Sequence, residues 1–309
     1  MRFNSDQIQK IGKEIRGKID GKTLFDEFSR GRYSTDASVY QIKPLGVVLP
    51  KDTNDVLSLM EYSQKNSVPL LARGGGSSQC GQTVGESVVL DYSKHQNKIL
   101  ELNVEEKYVW VQPGVVLDHL NAYLKPYGLW FPVDVSTSSR ATIGGMSANN
   151  SCGSRSLYYG NMVHNVLAIE AILDDGSIFN FDQINKNYLA TKNNQDRLYK
   201  IIDKFIDVRK QVGGEIDANW PTTQRRVGGY NIDLIDPEGF NSSNLLVGSK
   251  VPKPNLPSLS FIIKLAPSGF PSAPPTLKVS VTVNIPTCNS FNSLSKFTAP
   301  LNVLMPLKI

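Results

Sequence analysis

The chain has 309 residues, 40% of them apolar and 20% charged, which suits one large globular domain or two small ones. Its net charge of +5 resides in residues 250–309, which hold six lysines and no acid, whereas the first 249 residues carry 27 bases and 28 acids; the basic balance therefore does not describe a nucleic-acid surface on the main body. The three cysteines (Cys80, Cys152, Cys288) match no zinc or iron–sulfur spacing, the polar N-terminus has no signal-peptide core, and no run approaches the ~20 apolar residues of a membrane span, so a reduced, cytoplasmic protein without a bound metal is expected.

Ser5–Lys18 is expected to form a helix, with Ser5 as N-cap and Ile8, Ile11 and Ile15 at helical spacing. Phe25–Tyr40 reads as loop or short helix. Gly46–Leu49 is a short apolar strand stopped by Pro50, and Thr53 or Asn54 caps a helix reaching Gln64. A strand at Val68–Ala72 enters a glycine-rich loop, and Ser87–Leu90 leaves it as another strand. Together these make a compact α+β unit. A second unit begins with strands at Lys98–Leu102 and Lys107–Gln112, a turn at Pro113-Gly114, and an amphipathic helix at Val115–Lys125. Asn165–Leu173 and Ile178–Phe181 read as strands joined by a tight turn at Asp174-Asp175-Gly176. Lys186–Asp217 has helical spacing, with Leu198, Ile201, Ile202, Phe205 and Ile206 inside; Arg225–Asn231 is a loop, and Leu245–Ser249 opens an apolar strand.

The loop after the strand at Val68–Ala72 is Arg73-Gly-Gly-Gly-Ser-Ser-Gln-Cys-Gly-Gln82. Three adjacent glycines are costly in backbone entropy, and a simple turn needs one or two. They can turn successive N–H groups to one side, a concavity that suits a phosphate, and Ser77 and Ser78 add hydroxyls without bulk. Two familiar phosphate loops fail here. Gln82 stands where a Walker A loop needs lysine, and Gln79 stands where the Rossmann fingerprint needs its third glycine. The remaining device is a strand–loop–strand cradle.

A second small-residue region spans Pro132–Thr137 and Thr142–Gly153. Pro132 excludes a regular central strand, and Gly144 and Gly145 open a short helix whose N-terminus is expected to face an acceptor group. Asp134, Thr137, Thr142, Asn149, Asn150 and Ser151 supply hydrogen-bonding side chains, although caps and turns use the same residues.

Taken together, these segments resemble the FAD-linked oxidases of the vanillyl-alcohol oxidase type, whose FAD-binding domain is called PCMH-type. The resemblance is nearer to the D-2-hydroxy-acid branch: D-lactate dehydrogenases, the flavin subunit of glycolate oxidase, and fused flavin/iron–sulfur dehydrogenases. It implies an α+β fold of two subdomains, a small strand–helix–strand unit and a larger mixed sheet with helices, with the branch's cap domain missing from this chain. Residues 40–249 would be the FAD-binding domain, 1–39 an N-terminal helical extension and 250–309 an atypical tail. It further implies that FAD is held by Arg73, Gly74, Gly75, Gly76, Ser77, Ser78, Gly81 and Gln82 in the first loop. Pro132, Asp134, Ser136, Thr137, Thr142, Gly144, Gly145, Ala148, Asn149, Cys152, Gly153, Tyr159, Gly160 and, through its main chain, Val166 would line the rest. The first loop has no histidine, so attachment is expected to be non-covalent. A bulky side chain at Gly75 is expected to abolish binding by blocking approach to the pyrophosphate.

In such proteins the base that takes the substrate's hydroxyl proton is a cap-domain histidine. This chain has only His95, His119 and His164, and none of them is assigned a catalytic role. The implied function is the flavin-binding domain of a dehydrogenase that oxidises a small D-2-hydroxy acid such as D-lactate, glycolate or D-2-hydroxyglutarate, passing electrons to an acceptor or an iron–sulfur partner. A module inactive without a partner or cap domain is the alternative. An NAD(P)H-dependent reductase is disfavoured by the lack of a second dinucleotide motif.

Composition breaks at Lys250. Ten of the 18 prolines fall in the last 60 residues, and acids and arginines vanish there. Relatives continue Val-Gly-Ser with Glu-Gly-Thr. Encoded GAA GGT ACC and stripped of one G, that triplet run becomes AAG GTA CC, which reads Lys-Val-Pro, the residues at 250–252. An out-of-frame tail is therefore expected, with a Pro-rich linker as the alternative. Such a tail would leave the last strand of the flavin domain incompletely paired.

Overall fold

The computed structural model describes residues 3–190, 196–223, 225–227, 230–249, 260–265 and 268–269. The elements below belong to one unit, Met1–Ser268. Among the described residues it holds two large hydrophobic cores and a small third cluster of Val47, Leu49 and Val89.

The first core is built on α1 (Ser5–Arg16). Its N-cap is Asn4, whose side chain accepts from Gln7 N while the Gln7 side chain accepts from Asn4 N. Ile8, Ile11 and Ile15 are buried against a four-stranded sheet ordered β1 (Lys22–Leu24), β2 (Gly46–Leu49), β4 (Val88–Asp91), β3 (Leu70–Arg73). β1 runs antiparallel to β2, and β2 and β3 flank β4 in parallel. A short α2 (Glu27–Arg32) is capped by Asp26, and α3 (Thr53–Asn66), capped by Asp52, crosses from β2 to β3. β4 is inserted between the strands that α3 joins, so the β3–β4 loop is carried at one end of the sheet.

The second core gathers around a five-stranded antiparallel sheet. In chain order its parts are β5 (Ile99–Asn103), β6 (Tyr108–Val111), α4 (Leu117–Leu124), the short β7 (Leu129–Trp130), α5 (Ile143–Ala148), α6 (Ser156–Tyr159), α7 (Met162–Asn165), β8 (Val166–Ile172), β9 (Ile178–Phe181), β10 (Gln183–Asn185), α8 (Lys186–Ala190), α9 (Arg197–Asn219), β11 (Gly239–Asn241) and β12 (Ser260–Leu265). The sheet order is β5-β6-β12-β8-β9, and β10 pairs with β11 separately. Leu198, Ile202 and Ile206 of α9 are buried in this core, and Ile172 at the end of β8 packs into the first.

Four expectations are corrected. The larger sheet is wholly antiparallel, and the smaller one is mixed. Residues 1–39 are not an appendage, since α1 and β1 complete the first core and sheet. Leu245–Ser249 is not a strand. Leu245 and Val247 are buried, the chain turns, and Gly248 N donates to Ser147 O at 2.9 Å with φ of +84°. Finally, β12 lies beyond Lys250 yet occupies the centre of the second sheet, paired with β6 and β8, with Ile263 and Leu265 fully buried. The expected gap in that sheet is filled by the tail itself. The rest of that region, 250–259, 266–267 and 270–309, lies outside the described residues.

Candidate functional site

A cleft of about 120 Å³ opens where the two glycine-rich stretches meet. It is lined by Gly74–Ser78 and Thr83 from one side, and by Val135, Thr137, Ala141, Thr142, Gly145, Met146, Asn149 and Ser151 from the other. The approach of the two sides is close. A Cβ on Gly74 would stand 2.0 Å from Thr142 Oγ1, and one on Gly75 would stand 2.1 Å from the Arg140 carbonyl oxygen. Both positions need glycine because protein occupies the side-chain direction. The N–H groups are what remain for a ligand, and no described residue accepts from the amides of Gly74 to Ser78.

The second stretch is differently disposed. Thr142 caps α5 through Oγ1, which accepts from Gly145 N at 3.4 Å. Ile143 N donates to Val115 O at 2.8 Å and Gly144 N to Pro113 O at 2.9 Å. All three amides at this helix start are therefore taken by the protein, which corrects the expectation that they face an acceptor group. Gly144 is buried, and a Cβ there would stand 2.6 Å from Pro113 Cβ. What this side offers the cleft is side chains. No described residue hydrogen-bonds the side chains of Thr137, Asn149 and Ser151, nor that of Ser77 opposite.

Several expected site residues bond or pack within the protein, outside the lining of this cleft. Asp134 Oδ2 accepts from Ser154 Oγ at 2.6 Å and Oδ1 from Arg155 N at 2.9 Å, so the carboxylate is spent on the turn that follows. Buried Gly153 packs on the Asp134 carbonyl, where a Cβ would approach to 1.3 Å. Tyr159 meets Trp130 edge to face at 5.3 Å, and Gly160, at φ of +75°, makes room for His164. Gln82 accepts from the Ser78 hydroxyl, and Gly81 lies beneath the Tyr40 ring. Cys152 Sγ is 3.2 Å from Arg225 Nη2. Val166 O, Pro132, Ser136 and Ala148 do not line the cleft; Pro132 is buried, Ser136 exposed, and Val166 O accepts from Asn241 Nδ2 at 3.1 Å. Arg73 turns away to the segment Tyr33–Thr35.

Thr83, Val135 and Met146 line the cleft without having been expected there. Val135 sits between two expected residues, whereas nothing in the local pattern marks Thr83 or Met146. The walls are held by buried asparagines, of which Asn150 is marked by the sequence and Asn161 and Asn231 are not. Asn150, at φ of +47°, accepts from Val163 N at 3.0 Å and faces Asn231 at 3.4 Å. Asn231 Nδ2 in turn donates to Val247 O at 2.7 Å, and Asn161 Nδ2 donates to Arg226 O at 2.9 Å. These contacts fasten the Arg225–Asn231 loop to the wall of the cleft.

A row of free amides facing free hydroxyl and amide side chains is a donor-rich slot suited to a pyrophosphate and its flanks. At this volume it holds that part of a dinucleotide and not the whole, since ligand pockets usually span about 300–1,000 Å³. Comparison with known proteins agrees. Residues 44–182 match the family model described as "FAD binding domain". Over these residues the chain is similar to FAD-binding domains. The chain is 34% identical over 245 residues to a D-2-hydroxyglutarate dehydrogenase of Haemophilus influenzae, covering 75% of this chain and 24% of that protein. Against a glycolate oxidase subunit of Bacillus subtilis it is 36% identical over 176 residues, covering 55% and 37%. The chain thus spans about a quarter of the length of the D-2-hydroxyglutarate dehydrogenases it matches. Among solved structures, alkyldihydroxyacetonephosphate synthase superposes with a TM-score of 0.58 at 16% identity, covering 86% of this chain and 44% of that one, a likeness of fold. The cofactor of this domain is FAD, and the free donors of Gly74–Ser78 fit its pyrophosphate.

Proposed function

We propose that this chain binds one FAD non-covalently and forms the flavin-binding part of a dehydrogenase acting on a small D-2-hydroxy acid. The observation that carries the reading is the set of five unpaired amides at Gly74–Ser78, which faces Thr137, Asn149 and Ser151 across the cleft. FAD, when bound, would supply the hydride acceptor for oxidation at the substrate's C2. The chain's own residues bind and orient it: the loop amides and Ser77 take the pyrophosphate oxygens, and Asn149 and Ser151 hydrogen-bond the group beyond them. The substrate class rests on the relatives' activities, since the chain resembles enzymes named for D-2-hydroxyglutarate, glycolate and D-lactate.

A specific observation also favours the reading that turnover needs a further domain or partner. None of the three histidines lines the cleft, and all three are exposed. His164 Nδ1 accepts from Asn161 N at 3.0 Å, which commits that nitrogen to capping α7. No imidazole in the chain is thus positioned as a base beside the cleft. The test is to add FAD to the purified chain, follow flavin fluorescence, and then mix it anaerobically with D-lactate, glycolate and D-2-hydroxyglutarate. Stoichiometric uptake, acid-released flavin and little bleaching are expected. No uptake overturns the binding reading, flavin retained in the acid pellet overturns the non-covalent part, and rapid bleaching overturns the need for a partner.

A further inference from the structure

Arg73 is the last residue of β3, directly before the cradle, and its guanidinium is mostly buried. Nη2 donates to Thr35 O at 2.8 Å, and Nη1 lies 3.4 Å from Tyr33 O and 3.3 Å from Thr83 O. The guanidinium carbon is 5.2 Å from the centre of the Tyr33 ring. Burial lowers the side chain's pKa, opposed by the charges of Asp91 and Asp36. The loop folds back over this group. Gly76 has φ of +63°, and a Cβ on it would stand 2.5 Å from Arg73 Nη2. The third glycine of the triplet is therefore required by its left-handed backbone, which seats the loop against Arg73.

The same group joins three segments of chain. Thr83 Oγ1 donates to Asp36 Oδ2 at 2.9 Å, Ala37 N donates to Gly76 O at 3.1 Å, and Tyr33 Oη donates to Asp91 Oδ2 at 2.6 Å. The entrance of the loop, its exit and residues 33–37 thus converge on one cation that spends its donors on carbonyl oxygens. A guanidinium presents donors in a rigid plane and can hold carbonyls on different segments at once, which a lysine ammonium on its flexible stem does not reproduce.

From this geometry we infer that Arg73 is a positioning residue for FAD. It does not touch the cofactor. It fixes the Gly74–Ser78 amides outward before the pyrophosphate arrives, with residues 33–37 as a working part of the site. Preorganised donors bind more tightly because the loop loses less freedom on binding. The inference rests on FAD being the ligand of the cleft.

The test compares wild type with Arg73→Lys and Thr83→Val, reading FAD dissociation by stopped-flow fluorescence, melting of the FAD-free protein, and amide exchange at residues 74–78. Arg73→Lys is expected to speed FAD dissociation about tenfold and to weaken the protection from exchange that bound FAD gives the amides of 74–78. Thr83→Val leaves Arg73 in place and removes only the hydroxyl link to Asp36. It is expected to speed dissociation about threefold, with the FAD-free protein melting slightly lower for the lost hydrogen bond but by less than in Arg73→Lys. Wild-type dissociation rates in both variants overturn the inference. If Arg73→Lys does not fold, Thr83→Val decides alone, and its wild-type dissociation rate overturns the inference. Wild-type protein that takes up no FAD is instead a failure of the cofactor reading.

Discussion

The two glycine-rich stretches of this chain look alike as sequence and do opposite things. Around Gly74–Gly76 the glycines admit Thr142, the Arg140 carbonyl and the Arg73 guanidinium on their side-chain faces, and the amides are left free. Around Gly144 and Gly145 the amides are consumed by Pro113 O and Thr142 Oγ1, and the glycine at 144 admits Pro113. One stretch is the cradle, and the other is the wall that presses it into shape. Glycine density marks close approach of backbone; only the hydrogen-bond count says whether the visitor is a ligand or more protein.

Substitutions should separate the two roles. The largest effect is expected for Gly75→Ala, whose Cβ meets a backbone carbonyl, so the loop must move and lose several cofactor hydrogen bonds. FAD affinity measured by fluorescence titration should fall about 100-fold or more. The cause differs from blocked access to the pyrophosphate, because the added methyl points at Arg140. Gly144→Ala should instead cost stability, about 1–3 kcal/mol by denaturant melting, from crowding against Pro113, with a smaller change in FAD affinity. An equal loss of affinity in both variants would erase the distinction between cradle and wall.

A smaller stability loss is expected for Asn150→Ala. This buried side chain accepts from Val163 N and faces Asn231, and its removal strands both, at a cost of about 1–2 kcal/mol. The smallest effect concerns pH. Burial raises the Asp36 carboxyl, but hydrogen bonds from Ser38 and Thr83 outweigh it and hold the group below the usual carboxylate range. Its contribution is therefore present above the unfolded pKa of about 3.9 and is lost as pH falls through the lowered folded value. FAD retention by wild type should fall more steeply in that acid window than retention by Asp36→Asn; parallel curves would contradict the role of Asp36.

Much of this was legible in the residues. The glycine triplet, the strands on either side of it and the helix periodicity of α1 are local signals, and they lie within a few residues of their expected bounds, whereas the helical pattern expected over Lys186–Asp217 divides into α8 and an α9 that starts at Arg197. The helix caps fall just before the residues expected, at Asn4 and Asp52, because each side chain reaches the free amides of the first turn from there. What sequence could not reveal is long-range. Nothing near Arg73 indicates that it serves Tyr33, Thr35 and Thr83, and nothing near Asn231 indicates Asn150, 81 residues away. Nothing near Asp134 indicates that its carboxylate accepts from Ser154 and Arg155, 20 and 21 residues on. β12 was hidden because a proline-rich, acid-free context masks a six-residue strand whose partners, β6 and β8, are far away in sequence.

The most direct measurement is residue-resolved amide hydrogen exchange of the chain with and without FAD. The free amides of Gly74–Ser78 should exchange fast in the FAD-free protein and become protected on binding, while those of Ile143–Gly145 should be protected in both. Protection gained at 143–145, with none at 74–78, would contradict the assignment of cradle and wall.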